Sequence, residues 1–457
     1  LTTPQTTTQT DQGGGILSPA YLATTLGTFA VIVLVAFENL AVTTVMPTLT
    51  DALDGRDLYA LGFAAPLASG VVGMVAAGMI SDRRGPAMPL LLALSVFAGG
   101  LLMAGAATSM ELFVAGRVLQ GLGGGGATVV LYVVIGLIYP SRLQASVFAA
   151  LAAAWVLPSL FGPAVAAVIS EAFGWRWVFL GTVALVAVVG LGLARRVLGL
   201  PQPEQQPEHT SYAPLVWAVV AAAAVLGVRL VGDNVVLALA CAALVLFALT
   251  HLLPKGALRL AEGLPSVIST RGFLAGSFFM AEGYVVLTLE EKWGLTPTVA
   301  GLALSAVGIV WALTSWLQAR MRRLGHTRAM TVGAFVIVAG LVLLTGAIWL
   351  EVNPWIAGAV YVVAGAGMGF AYPRTGVAML QASTDVDRGF NSAALNAADS
   401  MGGALSLALA GLVFATVESA GGDPFTAVYC FASAVAVVSV LAAARTNAHG
   451  TPDGAAH

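Results

Sequence analysis

Charged side chains make up only 9% of the 457 residues, where a soluble domain carries about 25%. A chain so poor in charge cannot coat one globular core with polar surface. With 58% hydrophobic residues and a mean hydropathy of +0.91, its outer solvent is read as lipid. Cysteine is nearly absent: Cys241 and Cys430 both lie in apolar stretches, which excludes a disulfide framework and suggests no redox role. The five histidines (His209, His251, His326, His449, His457) are scattered without metal-ligand spacing, so neither a metal nor another cofactor is expected. A net charge of -2 gives no reason to expect a nucleic-acid partner. There is no G-x-x-x-x-G-K-[ST] string for ATP and no clustering of nucleophile with base, which argues against a primary pump and against an enzyme. Lysine is rare beside arginine, two against eighteen, a composition suited to a GC-rich bacterial genome and hence to a bacterial inner membrane.

What the sequence has in abundance is long apolar runs. Windows of about 20 residues predict helices near 21–46, 58–80, 87–107, 111–138, 144–169, 178–198, 214–231, 235–253, 272–289, 298–318, 330–350, 355–378, 393–417 and 424–444. The first run is too long for a signal-peptide core and is expected to be a retained span. For 214–231 and 235–253, length favours two spans over one re-entrant pair. With the N-terminus inside, fifteen Lys and Arg residues fall on the inner side, Arg271 and Arg374 among them, and four on the outer side, with Arg117 left in the membrane. That asymmetry places both termini in the cytoplasm.

Some groups in these spans are ones that lipid tolerates poorly. Glu38, Glu282, Asp399 and Arg117 each cost at least ~2.5 kcal/mol at mid-bilayer. Such groups persist where they face a wet cavity, pair with one another or exchange protons. Transport is one use for them, and the alternative is buried pairing that holds helices together. Ser392, Asn396, Asp399, Gly403 and Ser406 recur at helical spacing and share one face of the thirteenth span. A stripe of this kind either lines a pathway or packs helices through small and polar residues. Phe278, Phe279, Met280 and Tyr284 would make an apolar pocket around Glu282, or serve as ordinary packing residues.

Several motifs carry a resemblance. GMISDRRG, with Gly78, Asp82, Arg83 and Gly85, resembles the loop signature between the second and third helices of major facilitator transporters. In it Gly78 permits close helix approach, Asp82 can cap a neighbouring helix and Arg83 keeps the loop inside. Pro86 and Ala87 stand where that family carries a basic pair. GRVLQGLGGGG resembles the family's fourth-helix motif, with Arg117 and Gln120 on one side, and its G-x-G-x-x-G string fits glycine packing better than dinucleotide binding. Pro158 and the pair Gly162 and Pro163 resemble the fifth-helix motif of exporters, with Ala166 and Ala167 in place of its later glycines. FENLAVTTVMPTL resembles the first-helix motif of drug:proton antiporters, Glu38 preceding Pro47 by nine positions and Asn39 departing from the usual threonine.

The resemblance implies an all-α membrane protein of the major facilitator fold: two six-helix bundles plus two additional central helices, fourteen in total. The expected layout is a tail at 1–20, a bundle at 21–199, a linker at 200–213, the extra pair at 214–254, a linker at 255–271, a bundle at 272–445 and a tail at 446–457. It implies a proton-coupled exporter of lipophilic or cationic small molecules, with lipid bilayer, small-molecule substrate and protons as partners. Exporters of an endogenous metabolite or lipid, and uptake symporters, remain alternatives. Glu38 and Arg117 would couple protons. Asn39, Gln120, Glu282, Tyr284, Asn396 and Asp399 are cavity candidates, and Gly78, Asp82, Arg83, Gly85, Pro158, Gly162 and Pro163 are conformational ones.

Overall fold

The computed structural model describes residues 14–55, 58–200, 211–230, 234–295, 297–321 and 324–447. Residues 1–13 and 448–457 of the expected tails at 1–20 and 446–457, most of the 200–213 linker, and Arg56, Arg322 and Arg323 lie outside the described residues. Within them the chain forms fourteen α-helices. The first six are α1 (Leu22–Ala52), α2 (Tyr59–Arg84), α3 (Ala87–Gly105), α4 (Met110–Ile138), α5 (Ser141–Phe173) and α6 (Arg176–Val197). A central pair follows, α7 (Ala213–Leu230) and α8 (Val235–Leu252). The last six are α9 (Leu264–Trp293), α10 (Pro297–Arg320), α11 (His326–Trp349), α12 (Pro354–Ala382), α13 (Arg388–Ser419) and α14 (Pro424–Ala444).

Helices are what an apolar chain in lipid must form, because each backbone N–H and C=O finds its partner inside the segment. Thirteen are long and apolar enough to cross a membrane, while the described apolar run of α7, Ala213–Gly227, is shorter. Their ends carry local stop and start chemistry. Gly85 ends α2 with φ 72°, a left-handed conformation that a side chain would strain. Ser109, Asn234, Asn353 and Asp423 cap α4, α8, α12 and α14 through their side-chain oxygens.

The first and last six helices repeat one packing scheme. In the first set α1 packs on α5 and α6, α2 on α4, and α3 on α4 and α6. In the second, α9 packs on α13 and α14, α10 on α12, and α11 on α12 and α14. Contacts between the sets also exchange under that correspondence: α2 with α13 matches α10 with α5, and α4 with α13 matches α12 with α5. This is the signature of two repeats about a pseudo-two-fold axis. The α7–α8 hairpin breaks it: its main packing among the described residues is on α2 and α13. Arg83 lies over the Tyr212 ring at 5.6 Å, tying the approach to α7 to the end of α2.

Two helix starts differ from expectation, with consequences for charge. α9 begins at Leu264 instead of near 272, and α13 at Arg388 instead of near 393. Arg271 therefore lies inside α9; Arg374 lies inside α12, within the window predicted for that helix, and both are buried. The expectation that they belong to the charged inner loops is corrected: each finds partners within the protein. Arg374 donates to the Gln318 carbonyl (2.6 Å) and the Met321 carbonyl (3.2 Å), tying down the end of α10.

Candidate functional site

In the first bundle, α1 and α4 bring Glu38 and Arg117 together, each 2% exposed. Arg117 Nη1 donates to Glu38 Oε1 at 3.3 Å and also to Gln120 Oε1, while its Nε donates to the Gly62 carbonyl at 3.0 Å. Gln120 Nε2 in turn donates to the Gly100 carbonyl of α3 at 3.3 Å. The arginine fork thus links α1, α2 and α4, and Gln120 extends the link to α3. Glu38 Oε2 is buried and has no hydrogen-bond partner among the described residues. Neighbouring Asn39 turns to the Val35 carbonyl of its own helix (2.9 Å) and stays out of the pair. α5 approaches α1 next to this site: a Cβ on Gly162 would lie 3.6 Å from the Phe37 ring. Pro158 is buried on the same helix, and the Pro163 side chain lies outside the described residues.

The second bundle holds its own ion pair. Arg271 Nε donates to Asp399 Oδ1 at 2.9 Å, and Tyr372 Oη donates to Asp399 Oδ2 at 2.8 Å. Sequence reasoning missed Arg271 because the polar start of α9 depresses its hydropathy. The one available signal was that Asp399, on a predicted span, needed a cation. The polar face of α13 serves packing elsewhere. Asn396 donates to the Ser392 carbonyl (2.8 Å), and Gly403 meets Phe279, 3.2 Å from where a Cβ would sit. Ser406 faces Gly276 of α9.

Glu282 sits three helical turns from Arg271 on the same face of α9. It is half-buried, and among the described residues it makes no hydrogen bond or ion pair. Beside it lies an aromatic cluster. Phe278 stacks on Tyr361 with centroids 5.8 Å apart and meets Trp311 edge-on at 5.4 Å, and Trp311 meets Tyr372 at 5.4 Å. The Trp311 Nε1 and Tyr361 hydroxyl are buried without hydrogen-bond partners among the described residues. Tyr284 instead stacks on Phe414 at 5.5 Å, so the rings near Glu282 divide between two clusters.

The loop motif binds the halves. Asp82 accepts hydrogen bonds from the backbone N–H groups of Gly389 and of Phe390 (2.7 Å for the latter), capping α13 from across the seam. Gly78 makes room for this: a Cβ there would lie 2.6 Å from the Gly389 carbonyl oxygen. Phe148 likewise sits against Gly376. These contacts gather at the end of the bundle that carries Arg83, Arg84 and Arg388. Burial along α13 then falls, from the buried stretch 391–398 to the exposed residues Glu418 and Ser419. The halves are closed together at this basic end.

At the opposite end Lys292 donates to Asp423 at 2.7 Å, joining the last turn of α9 to the cap of α14. Burial works to raise the Asp423 carboxyl, but hydrogen bonds from Lys292 and Thr426 and the lysine charge outweigh it and hold the group below the usual carboxylate range. A lowered folded value stabilises above the unfolded pKa of about 4 and loses that contribution as pH falls through the lower value. The expected result is that Asp423→Asn melts below the parent at pH 6, by at most about 1 kcal/mol for a pair this exposed. The difference closes as pH is lowered past 4, read by thermal unfolding in detergent.

Two repeated helical bundles, joined along a seam closed at one end and holding ion pairs inside their spans, define a multi-pass membrane transporter. The chain belongs to the Major Facilitator Superfamily, whose family model matches residues 28–285. It is 26% identical over 468 residues to a probable multidrug-efflux transporter of Mycobacterium tuberculosis, covering 96% of this chain and 97% of that protein. A shorter match, 36% over 155 residues, covers 33% of this chain and 28% of an MFS efflux transporter of Aspergillus oryzae. The human organic anion transporter MFSD10 superposes with a TM-score of 0.71 at 14% identity, covering 93% of this chain and 99% of its own. The Escherichia coli fucose:proton symporter gives 0.64, likewise at 14% identity, covering 94% and 100%. At such identities the likeness is one of fold.

Proposed function

We propose that the protein is a proton-coupled exporter, an antiporter of lipophilic or cationic small molecules. The bundles 21–199 and 272–445 would work by alternating access, with 214–254 as an additional pair. The linkers 200–213 and 255–263, both tails and the basic end would face the cytoplasm of a bacterial inner membrane. The described conformation is then closed to the cytoplasm.

The observation that carries this reading is Glu38: a carboxylate sealed within a bundle, one oxygen held by Arg117 and the other without a partner. A proton on that free oxygen neutralises the acid without breaking the Arg117 fork, so loading and release need little rearrangement. Arg117 tunes the acid and Gln120 orients Arg117. Glu282, with the half-buried rings of Phe279 and Trp311 nearby, would offer a cationic aromatic compound one charge and two ring faces, with Phe278 and Tyr361 buried in the same cluster. Tyr284, Asn396 and Asp399 are secondary members. The relatives named for efflux support export, and Gly162 beside Phe37 keeps the exporter-like motif against α1.

Purified protein in liposomes, given an inside-acid gradient and a fluorescent lipophilic cation, is expected to accumulate the dye and to release it when a protonophore is added. Accumulation indifferent to the protonophore removes the coupling. Accumulation only when the gradient is reversed makes the protein a symporter.

A further inference from the structure

Arg271 distributes its N–H groups unequally between the two halves. Within its own half Nε is held by Asp399, and Nη1 donates to the Tyr372 carbonyl (3.2 Å) and to Thr375 Oγ1 (3.0 Å). Its guanidinium carbon lies 3.2 Å from the Tyr372 ring centroid. Nη2 alone reaches across, donating to the Tyr132 hydroxyl of α4 at 3.3 Å. Tyr132 is itself seated, edge-on to Phe148 with centroids 4.8 Å apart, and Phe148 rests on α12 where a Cβ on Gly376 would come within 2.7 Å of its ring. Tyr132 is six residues from the end of α4 and Asp399 eleven from the start of α13. At about 1.5 Å per residue the junction lies roughly 9–17 Å inside the basic end, deeper than the Asp82 cap.

We propose that Arg271 is a positioning residue for transport. Anchored by Asp399 and Tyr372, it grips Tyr132 of the opposite bundle and latches the basic end shut, and each opening of that end must break this bond. The geometry separates anchor from grip. When the halves part, the Asp399, Thr375 and Tyr372 contacts travel with Arg271, and only the Tyr132 bond is lost to water. An arginine stays charged throughout, so the grip does not depend on its own protonation. The Glu38–Arg117 pair differs in kind: both members belong to one bundle, and rocking leaves it intact. The latch rests on the alternating movement proposed above but requires neither proton coupling nor a particular substrate.

The test places spin labels at Arg84→Cys on α2 and Gln381→Cys on α12, both exposed, in a Cys241→Ala/Cys430→Ala background in lipid nanodiscs. Electron–electron distances then read the basic end directly. Tyr132→Phe keeps the ring and removes the cross-half bond, and is expected to raise the ratio of long to short distances at least about tenfold. Tyr372→Phe removes a bond inside the second bundle and leaves the Arg271–Tyr132 bond, so its ratio should stay within about threefold of the parent. A Tyr132→Phe distribution matching the parent overturns the latch, as does an equal shift in Tyr372→Phe, which would mean general loosening. A lowered melting temperature with unchanged distances assigns Tyr132 a purely structural role and overturns it too. Loss of proton-driven dye accumulation in the liposome assay bears on the antiport reading alone, because the distances need no gradient.

Discussion

Glu38→Gln is expected to keep its place in the fold and to lose the pumping. Glutamine still offers Arg117 Nη1 an oxygen where the carboxylate accepts at 3.3 Å, and Gln120 and the Gly62 carbonyl stay in place, so the guanidinium loses its counter-charge but none of its hydrogen bonds and the link among α1, α2 and α4 survives. It cannot take up and release a proton. Each proton moved inward supplies about 2.3 kcal/mol per 100 mV, and about 1.4 kcal/mol is a factor of ten. At ~100 mV, losing one coupled proton therefore lowers the sustainable concentration ratio of substrate by roughly fiftyfold. Counterflow of labelled against unlabelled substrate, which needs no gradient, should persist and so shows that the variant is folded and binds. Pumping equal to the parent would remove Glu38 from the coupling step.

Arg117→Ala is expected to fail at an earlier stage, in the fold itself. It strips the partner from Glu38 Oε1, from Gln120 Oε1 and from the Gly62 carbonyl, all in a site 2% exposed. Breaking a buried pair by removing one member costs about 3–5 kcal/mol, since it strands the other charge. Low yield and a lower melting temperature in detergent are expected. Adding Glu38→Gln to Arg117→Ala should restore much of the loss, because no unpaired charge then remains. Equal melting of the single and double variants would show that the ion pair carries little of the packing energy. Arg117→Lys keeps the charge but not the planar fork, and should fall between parent and alanine.

The helices were legible because the membrane imposes a length and a composition that the sequence displays directly. Fourteen apolar windows matched fourteen helices, most within a few residues at each end. The early start of α9 has a physical cause. Ser269, Thr270 and Arg271 lower the hydropathy at the head of α9, yet Ser269 and Thr270 turn their hydroxyls back to the Pro265 and Ser266 carbonyls (3.0 and 2.7 Å). Arg271 meets Asp399, 128 positions away, and a window of twenty residues cannot register that neutralisation. The motif residues read well for the same reason in reverse. Asp82 was expected to cap a neighbouring helix and does so on α13, and Gly78 was expected to allow close approach and does so at Gly389, because both roles follow from the residue's own chemistry. Other partners were not readable: Arg271 with Asp399 inside the second bundle, Arg271 with Tyr132 across the halves, and Trp311 in the ring cluster depend on where distant helices meet.

The α7–α8 hairpin makes the two flanks of the molecule unlike. On the α2/α13 flank it stands as a buttress leaning on both bundles, so any parting there must also slide α13 against α7 and α8. Among the described residues the α5/α10 flank has no such cover, and Phe161 of α5 and Leu313 and Trp316 of α10 keep 60%, 57% and 48% of their surface exposed. A compound dissolved among the lipid tails therefore finds one side fenced and the other unfenced, a handedness that neither repeat possesses by itself.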